Sequence, residues 1–320
     1  MTKNTAHTKI ERAAMREAIE RSGYLMEQRV LLVLEKADYY VESNPVYPDP
    51  ITGKSREYDF SASAALRTFK EELDFVYIQL EGECINNVQP VVFFDRDPTI
   101  EFLFAEDIKR SGIPLYFPYK KSPEDEISII DHFQFDHFHH YCKGLYSTQF
   151  CTFIQKSGKN KEKGREWMAC HPDDLHGAFA KLIAATQYAV SGHYSSWSPP
   201  EDKDSEPLNL TFFYPVLIFA GDLYACSQRK GMLRFNKSNH IQFRKPIPYA
   251  EHEETYQIDV IRESYLPSFL KIIGREHQTL VRKLRSKKRE VRSAIESIVR
   301  KAKALEQKEA DPDYREVLEF

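Results

Sequence analysis

Residues 75–85 read FVYIQLEGECI, and their alternation decides how the rest of the chain is understood. Val76, Ile78, Leu80 and Cys84 fall on one face of an extended segment. Tyr77, Gln79, Glu81, Glu83 and Ile85 fall on the other, because successive strand side chains point to opposite faces. Two glutamates on an otherwise apolar strand are unusual, since Glu is rarely buried unless it is paired or holds a metal.

Upstream, the spacing predicts a polar helix over 9–21, a break at Ser22-Gly23 and a second helix from Tyr24 to about Lys36. Tyr24, Glu27, Leu31 and Leu34 are spaced by three and four, which puts Glu27 in line with apolar neighbours. An acid in the first turn also suits the helix dipole, so Glu27 has an ordinary structural reading as well. Two strand-like runs follow, DYYVESNPVY (38–47) and SREYDFSA (55–62), joined by the turn-rich PDPITGKS. ALRTFKEEL (65–73) is expected to be a short helix.

Downstream, PVVFF (90–94) is a further apolar run, and 97–165 is irregular and reads as an insertion. A helix is expected over 172–190, with Leu175, Phe179, Leu182, Ile183 and Thr186 sharing a face. LTFFYPVLIFAGDLYAC (210–226) is the most strand-like segment, and MLRF, IQFRK and YQIDVI precede a last helical region. Mixed strands and helices in this order predict an α/β protein. The expected division is a core of 1–96 and 166–226, an insertion at 97–165, peripheral strands and a helix at 227–273, and a basic C-terminal helix and tail at 274–320.

The bulk numbers agree with a packed globule: 320 residues, 42% hydrophobic, 13% aromatic and 29% charged. A net charge of −3 gives no general argument for a polyanionic partner. Residues 275–303, however, hold eleven Lys or Arg against three acids, enough for a local phosphate-binding surface. The five cysteines form no CxxC pair, and no stretch reaches the length of a membrane span. Reduced thiols in a cytoplasmic protein are the expectation.

Three acids stand at telling places: Glu27 on the helix, Asp59 in the second strand run and Glu83 in the third. Carboxylates converging from a helix and neighbouring strands can bind Mg²⁺ through oxygen, and such an ion activates water for attack on a phosphodiester. At these residues the sequence resembles the PD-(D/E)XK, or restriction endonuclease-like, nuclease superfamily, over roughly residues 20–95 and by topology alone at 172–226. The resemblance implies a core of helix, three strands, helix and strand, here with an insertion and a long C-terminal helix. It implies a hydrolase that binds DNA, with Asp59 and Glu83 catalytic and Mg²⁺ or Mn²⁺ held by Glu27, Asp59, Glu83 and the backbone carbonyl of Cys84. It also implies a lysine two residues after Glu83, where this chain has Ile85. Lys181 or Lys70 could supply that role from elsewhere, the metal could suffice alone, or the domain could be a catalytically silent binding protein.

VVFFDRDPT resembles the first motif of haloacid-dehalogenase-type phosphatases, with Asp95 as nucleophile and Asp97 as its partner, but only Gly221-Asp222 echoes the later motif. Asp131, His132, Asp136, His137, His139, His140 and Cys142 invite a metal reading, yet lack fixed ligand spacing and read as a half-buried loop or strand with exposed histidines. Val281, Leu284, Val291, Ile295, Ile298, Ala302 and Leu305 form a near-heptad seam, against the body or against a second copy in a homodimer. Arg285, Lys287, Lys288, Arg289 and Arg292 around it are either a solvated face or contacts to DNA phosphates.

Overall fold

The computed structural model describes residues 10–309 apart from 50–51, 71–72, 88, 97–106, 120–121, 158–164, 172, 196–205 and 250–251. The first elements are α1 (Arg12–Arg21), α2 (Tyr24–Lys36), β1 (Tyr40–Ser43), β2 (Val46–Pro48), β3 (Ser55–Glu57), β4 (Phe60–Arg67), β5 (Phe75–Ile85) and β6 (Val91–Arg96). Then come β7 (Lys109–Ile113), β8 (Tyr116–Tyr119), β9 (Ser122–Ser128), α3 (Ile129–His132), β10 (Tyr146–Ser157), β11 (Arg165–Cys170) and α4 (Asp173–Ser195). The chain continues with β12 (Asn209–Phe219), β13 (Leu223–Arg229), β14 (Met232–Ser238), β15 (His240–Tyr249), β16 (His252–Arg262), α5 (Leu266–Ser286) and α6 (Lys288–Glu309).

Twelve strands make one mixed sheet in the order β1-β4-β5-β12-β16-β15-β10-β6-β13-β14, with β11 added to β10 and β7 to β12. At its centre β5, β12 and β16 run parallel. Helices cover both faces, so the chain is an α/β protein. On one face Leu175, Phe179, Leu182 and Ile183 of α4 pack with Phe93, Leu217, Phe219 and Val260. On the other, Met26, Val30 and Leu34 of α2 and Phe269, Ile273 and Leu284 of α5 pack with Ile78, Leu80, Phe212 and Val216. That double burial explains why β12 is apolar without alternation: from Leu210 to Phe219 every residue is buried.

Several expectations change in three dimensions. The helix expected at ALRTFKEEL is absent among its described residues, because β4 runs on to Arg67, paired with Phe75. Cross-strand pairing to β5 overrides the local helical preference. Residues 97–165 supply β7 and β10 to the main sheet, β10 lying between β15 and β6. Of the strands expected at the periphery, β16 lies directly beside β12. The C-terminal helix breaks at Lys287 into α5 and α6. Its seam is already used: Val281, Leu284, Val291 and Ile295 are buried in the core under the sheet. Along that stretch the seam packs against the body, the first of the two expected alternatives. Among the described residues, no helix is long and apolar enough to cross a membrane.

Candidate active site

Glu83 lies on the α4 face near the C-terminal end of β5 and is buried, 3% exposed. Asp59 occupies the bend just before β4. Its Oδ2 accepts a hydrogen bond from the Cys84 N–H at 2.6 Å, and its carbonyl accepts one from the Asn44 N–H at 3.1 Å. β4 begins at Phe60, paired with Gly82, so β5 runs past the end of its neighbour and frees the Cys84 backbone to meet Asp59. The N–H and C=O of a strand residue point to the same side, so the Cys84 carbonyl also faces Asp59.

Gly82 makes that approach possible. A Cβ there would lie 1.9 Å from Cζ of Phe60, so the Phe60 ring can lie against the β5 backbone only because residue 82 has no side chain. Phe60 in turn carries Asp59 to its place.

Lys181, the one Lys or Arg in α4, places Nζ 2.6 Å from Glu83 Oε1. The contact is an ion pair at Oε1, an oxygen that is buried and has no further hydrogen-bond partner. Lys70, the other sequence candidate, is an exposed residue outside this contact. Ile85 packs instead against the apolar cluster under α4. Glu81, two residues before Glu83, is accounted for structurally: the Tyr58 hydroxyl donates to it at 2.7 Å and Gln79 Nε2 at 3.2 Å.

Glu27 enters from the first turn of α2, half-buried at the edge of the core stripe rather than on it. The buried positions are Met26, Val30 and Leu34, while Tyr24 is exposed. A Cβ at Gly23 would come 3.0 Å from Glu27 Oε1, so that glycine leaves room for the carboxylate. Glu27, Asp59 and Glu83 are not all within 4.8 Å of one another. They share a field nonetheless. Burial raises the pKa of Glu27, Asp59 supports that rise, and Lys181 opposes it. Burial raises Asp59 against the Cys84 N–H and Lys181. Burial, then Asp59, pushes Glu83 up to about 7 against Lys181. Three carboxylates whose pKa values are all raised, chiefly by burial, form an oxygen donor set that fits a hard divalent cation, with Lys181 already beside Glu83 Oε1. Mg²⁺ keeps several waters and tolerates such spacing.

The basic residues expected to meet nucleic acid mostly tie the C-terminal helices to the body. Arg285 donates to the Thr68 and Arg67 carbonyls. Arg292 pairs with the buried Asp74. Lys287 lies 3.5 Å from Glu290, and Lys288 lies over the Phe69 ring. Arg289 lines a cavity of about 440 Å³ with Phe117 and His132.

The phosphatase pattern does not assemble: Asp95 accepts from the Ser147 hydroxyl at 2.9 Å. Asp222 meets the opposite end of β6 through Val91, roughly 13 Å away at strand rise. Asp97 lies outside the described residues.

The histidine segment departs furthest from expectation. His137 is exposed, but His139 and His140 are buried. They join Tyr214, His240, Asp259, Glu276 and His277 on the sheet face covered by α5. His139 Nε2 lies 3.0 Å from the Tyr214 hydroxyl, and His140 lies between two carboxylates, Asp259 and Glu276. Burial alone would lower the pKa of His140, but these carboxylates push it up to about 10. Sequence held one clue, Asp259 within the apolar strand YQIDVI; nothing local linked it to residues 139–140.

Comparisons with sequence families, with curated proteins and with solved structures returned no match to this chain.

Proposed function

We propose that the chain is a metal-dependent nuclease of restriction endonuclease-like architecture, hydrolysing DNA phosphodiester bonds at the site of Asp59 and Glu83. The observation that carries the reading is the contact between Lys181 and Glu83. It puts a cationic amine beside the strand glutamate, where the motif lysine would have reached from position 85. A side chain from another element can replace it because only the position of the charge matters to a phosphate, not its origin in the sequence.

Asp59, Glu83 and the Cys84 carbonyl, with Glu27 through water or by a swing of its side chain, are the groups that would hold Mg²⁺ or Mn²⁺. When bound, such an ion supplies water activation and offsets charge on the phosphate. The chain's own residues do the rest. The Cys84 N–H fixes the Asp59 carboxylate, leaving its second oxygen outward. Lys181 Nζ screens Glu83 from Asp59 and offers its protons to a phosphate oxygen or the attacking water. Arg29, Lys36 and Arg262 line an open cavity of about 550 Å³ beside α2, where Arg29 pairs with Glu263 and Arg262 with Asp222, so a polyanionic backbone would compete with those acids for the two arginines. The alternative, a silent protein binding nucleic acid through its C-terminal helix, has less support, since that helix spends most of its cations on internal contacts.

The test is cleavage of plasmid and single-stranded DNA with Mg²⁺ or Mn²⁺ by wild type and Asp59→Ala. Cleavage by wild type that disappears in Asp59→Ala supports the reading. Absence of cleavage by wild type across both metals and substrates, or survival of cleavage in the variant, refutes it.

A further inference from the structure

On the sheet face opposite α4, four separate elements bring ligand-type side chains together away from the nuclease-like site. His140 comes from the short turn after α3, His240 from the start of β15, Asp259 from β16 and Glu276 from α5. His140 Nε2 and His240 Nε2 both address the same oxygen, Asp259 Oδ1, at 3.1 and 2.7 Å. One ligand atom from each of His140, His240 and Asp259 lies within 4.8 Å of the others. Asp259 is fully buried.

The groups behind these three are arranged as supports. Glu276 accepts from the His140 backbone N–H with Oε1 at 2.8 Å, and its Oε2 lies 2.8 Å from His140 Nδ1. That double hold fixes the ring and puts a hydrogen on Nδ1, so a neutral His140 would aim the Nε2 lone pair at Asp259. The Tyr141 hydroxyl donates to Asp259 Oδ2 at 2.8 Å. A carboxylate behind a ligating histidine is the usual way to fix its tautomer and raise its basicity. Two imidazole nitrogens and a carboxylate oxygen converge on one buried point, where either N–H hydrogens or a single cation must lie between them.

Two of the three ligands border open space. His140 and His240 line a cavity of about 480 Å³ with Glu276, Lys143, Gln242 and Arg275, and the fully buried Asp259 lies behind them. A zinc-class ion takes nitrogen and oxygen ligands in fours, and three protein ligands with an open fourth position are the pattern of accessible sites.

We propose that His140, His240 and Asp259 form a binding site for one zinc-class divalent ion, oriented by Glu276 and Tyr141 and open to the cavity beside α5. The inference does not depend on nuclease activity, since the two sites share no residue.

The competing occupant of the same point is a proton on His140, and metal titration separates the two. Tag-free, chelator-treated full-length protein carrying Asp59→Asn and Glu83→Gln, which disables the other carboxylate site, is titrated with Zn²⁺ by calorimetry and with Co²⁺ by visible absorption. The expected result is one equivalent of Zn²⁺ bound and visible Co²⁺ bands of nitrogen-ligated, low-coordinate type. His240→Ala in that background is expected to abolish saturable binding, and Glu276→Gln to weaken it by about 10–100-fold. No saturable Zn²⁺ binding, or binding unchanged by His240→Ala, overturns the proposal and leaves His140 protonated. Should His240→Ala fail to fold, the Co²⁺ spectrum decides alone: bands without nitrogen ligation overturn the proposal as firmly.

Discussion

Replacing Lys181 by Met keeps most of the side chain's apolar bulk and removes its charge. At 2.6 Å from Glu83, with an effective dielectric of 20, the direct attraction lost is about 6 kcal/mol. Most of that is returned, because the wild-type pair costs desolvation and the variant does not bury the amine. Glu83 is then left with only Asp59 for company. Its pKa is already pushed up to about 7, so at neutral pH it can take a proton instead of remaining charged. The stability loss is thereby capped at about 1–3 kcal/mol, and the variant is expected to fold.

Catalysis has no such escape. Losing one positioned charge at a developing phosphate oxyanion costs about 10²–10³ in rate. Mn²⁺ affinity should move the other way, holding steady or rising, because Lys181 no longer competes for Glu83. The assay is therefore double: plasmid nicking rate and Mn²⁺ titration on the same preparation. A variant that nicks within about threefold of wild type would remove Lys181 from the chemistry. One that loses activity together with its metal would demote it to a support for Glu83.

Further outcomes follow from the same contacts. Gly82→Ala is expected to lose about 1–3 kcal/mol and most cleavage, since the added Cβ would meet the Phe60 ring. Phe60→Ala in that background should restore part of the stability in a denaturation cycle, and strict additivity would refute the clash. Arg292→Ala should lower the melting temperature by several degrees, because it strips the partner from Asp74, which is fully buried. A fall in DNA affinity at unchanged stability would return Arg292 to the nucleic-acid surface. Burial pushes the Tyr39 phenol up to about 12, so the native state keeps a proton that the unfolded chain loses near pH 10. That contribution is complete below pH 10 and disappears as pH rises to 12, roughly 3 kcal/mol in all. Tyr39→Phe should flatten the alkaline stability slope by that amount, and an unchanged slope would show the phenol to be solvated.

What lies along one element was legible without coordinates. The α2 helix over Tyr24–Lys36, the β5 strand over Phe75–Ile85 and the apolar β12 segment follow from periodicity, which depends only on the near neighbours of each residue. The oddity of Glu81 and Glu83 was visible in the same way. Their different fates were not: Tyr58 satisfies one and Lys181 faces the other across 98 positions of chain. Residues 97–165 looked irregular because β7 and β8 are short and the main-sheet partners of β7 and β10 are remote in sequence. β10 takes its place only once β6, β11 and β15 are beside it. The histidines at 139–140 gave no ligand spacing because His240, Asp259 and Glu276 reach them from three other elements. Local sequence fixes which way a side chain points from its own helix or strand. Which charges meet at a point is set by the packing of elements, and that is decided only when the sheet closes and its two helical layers settle on it.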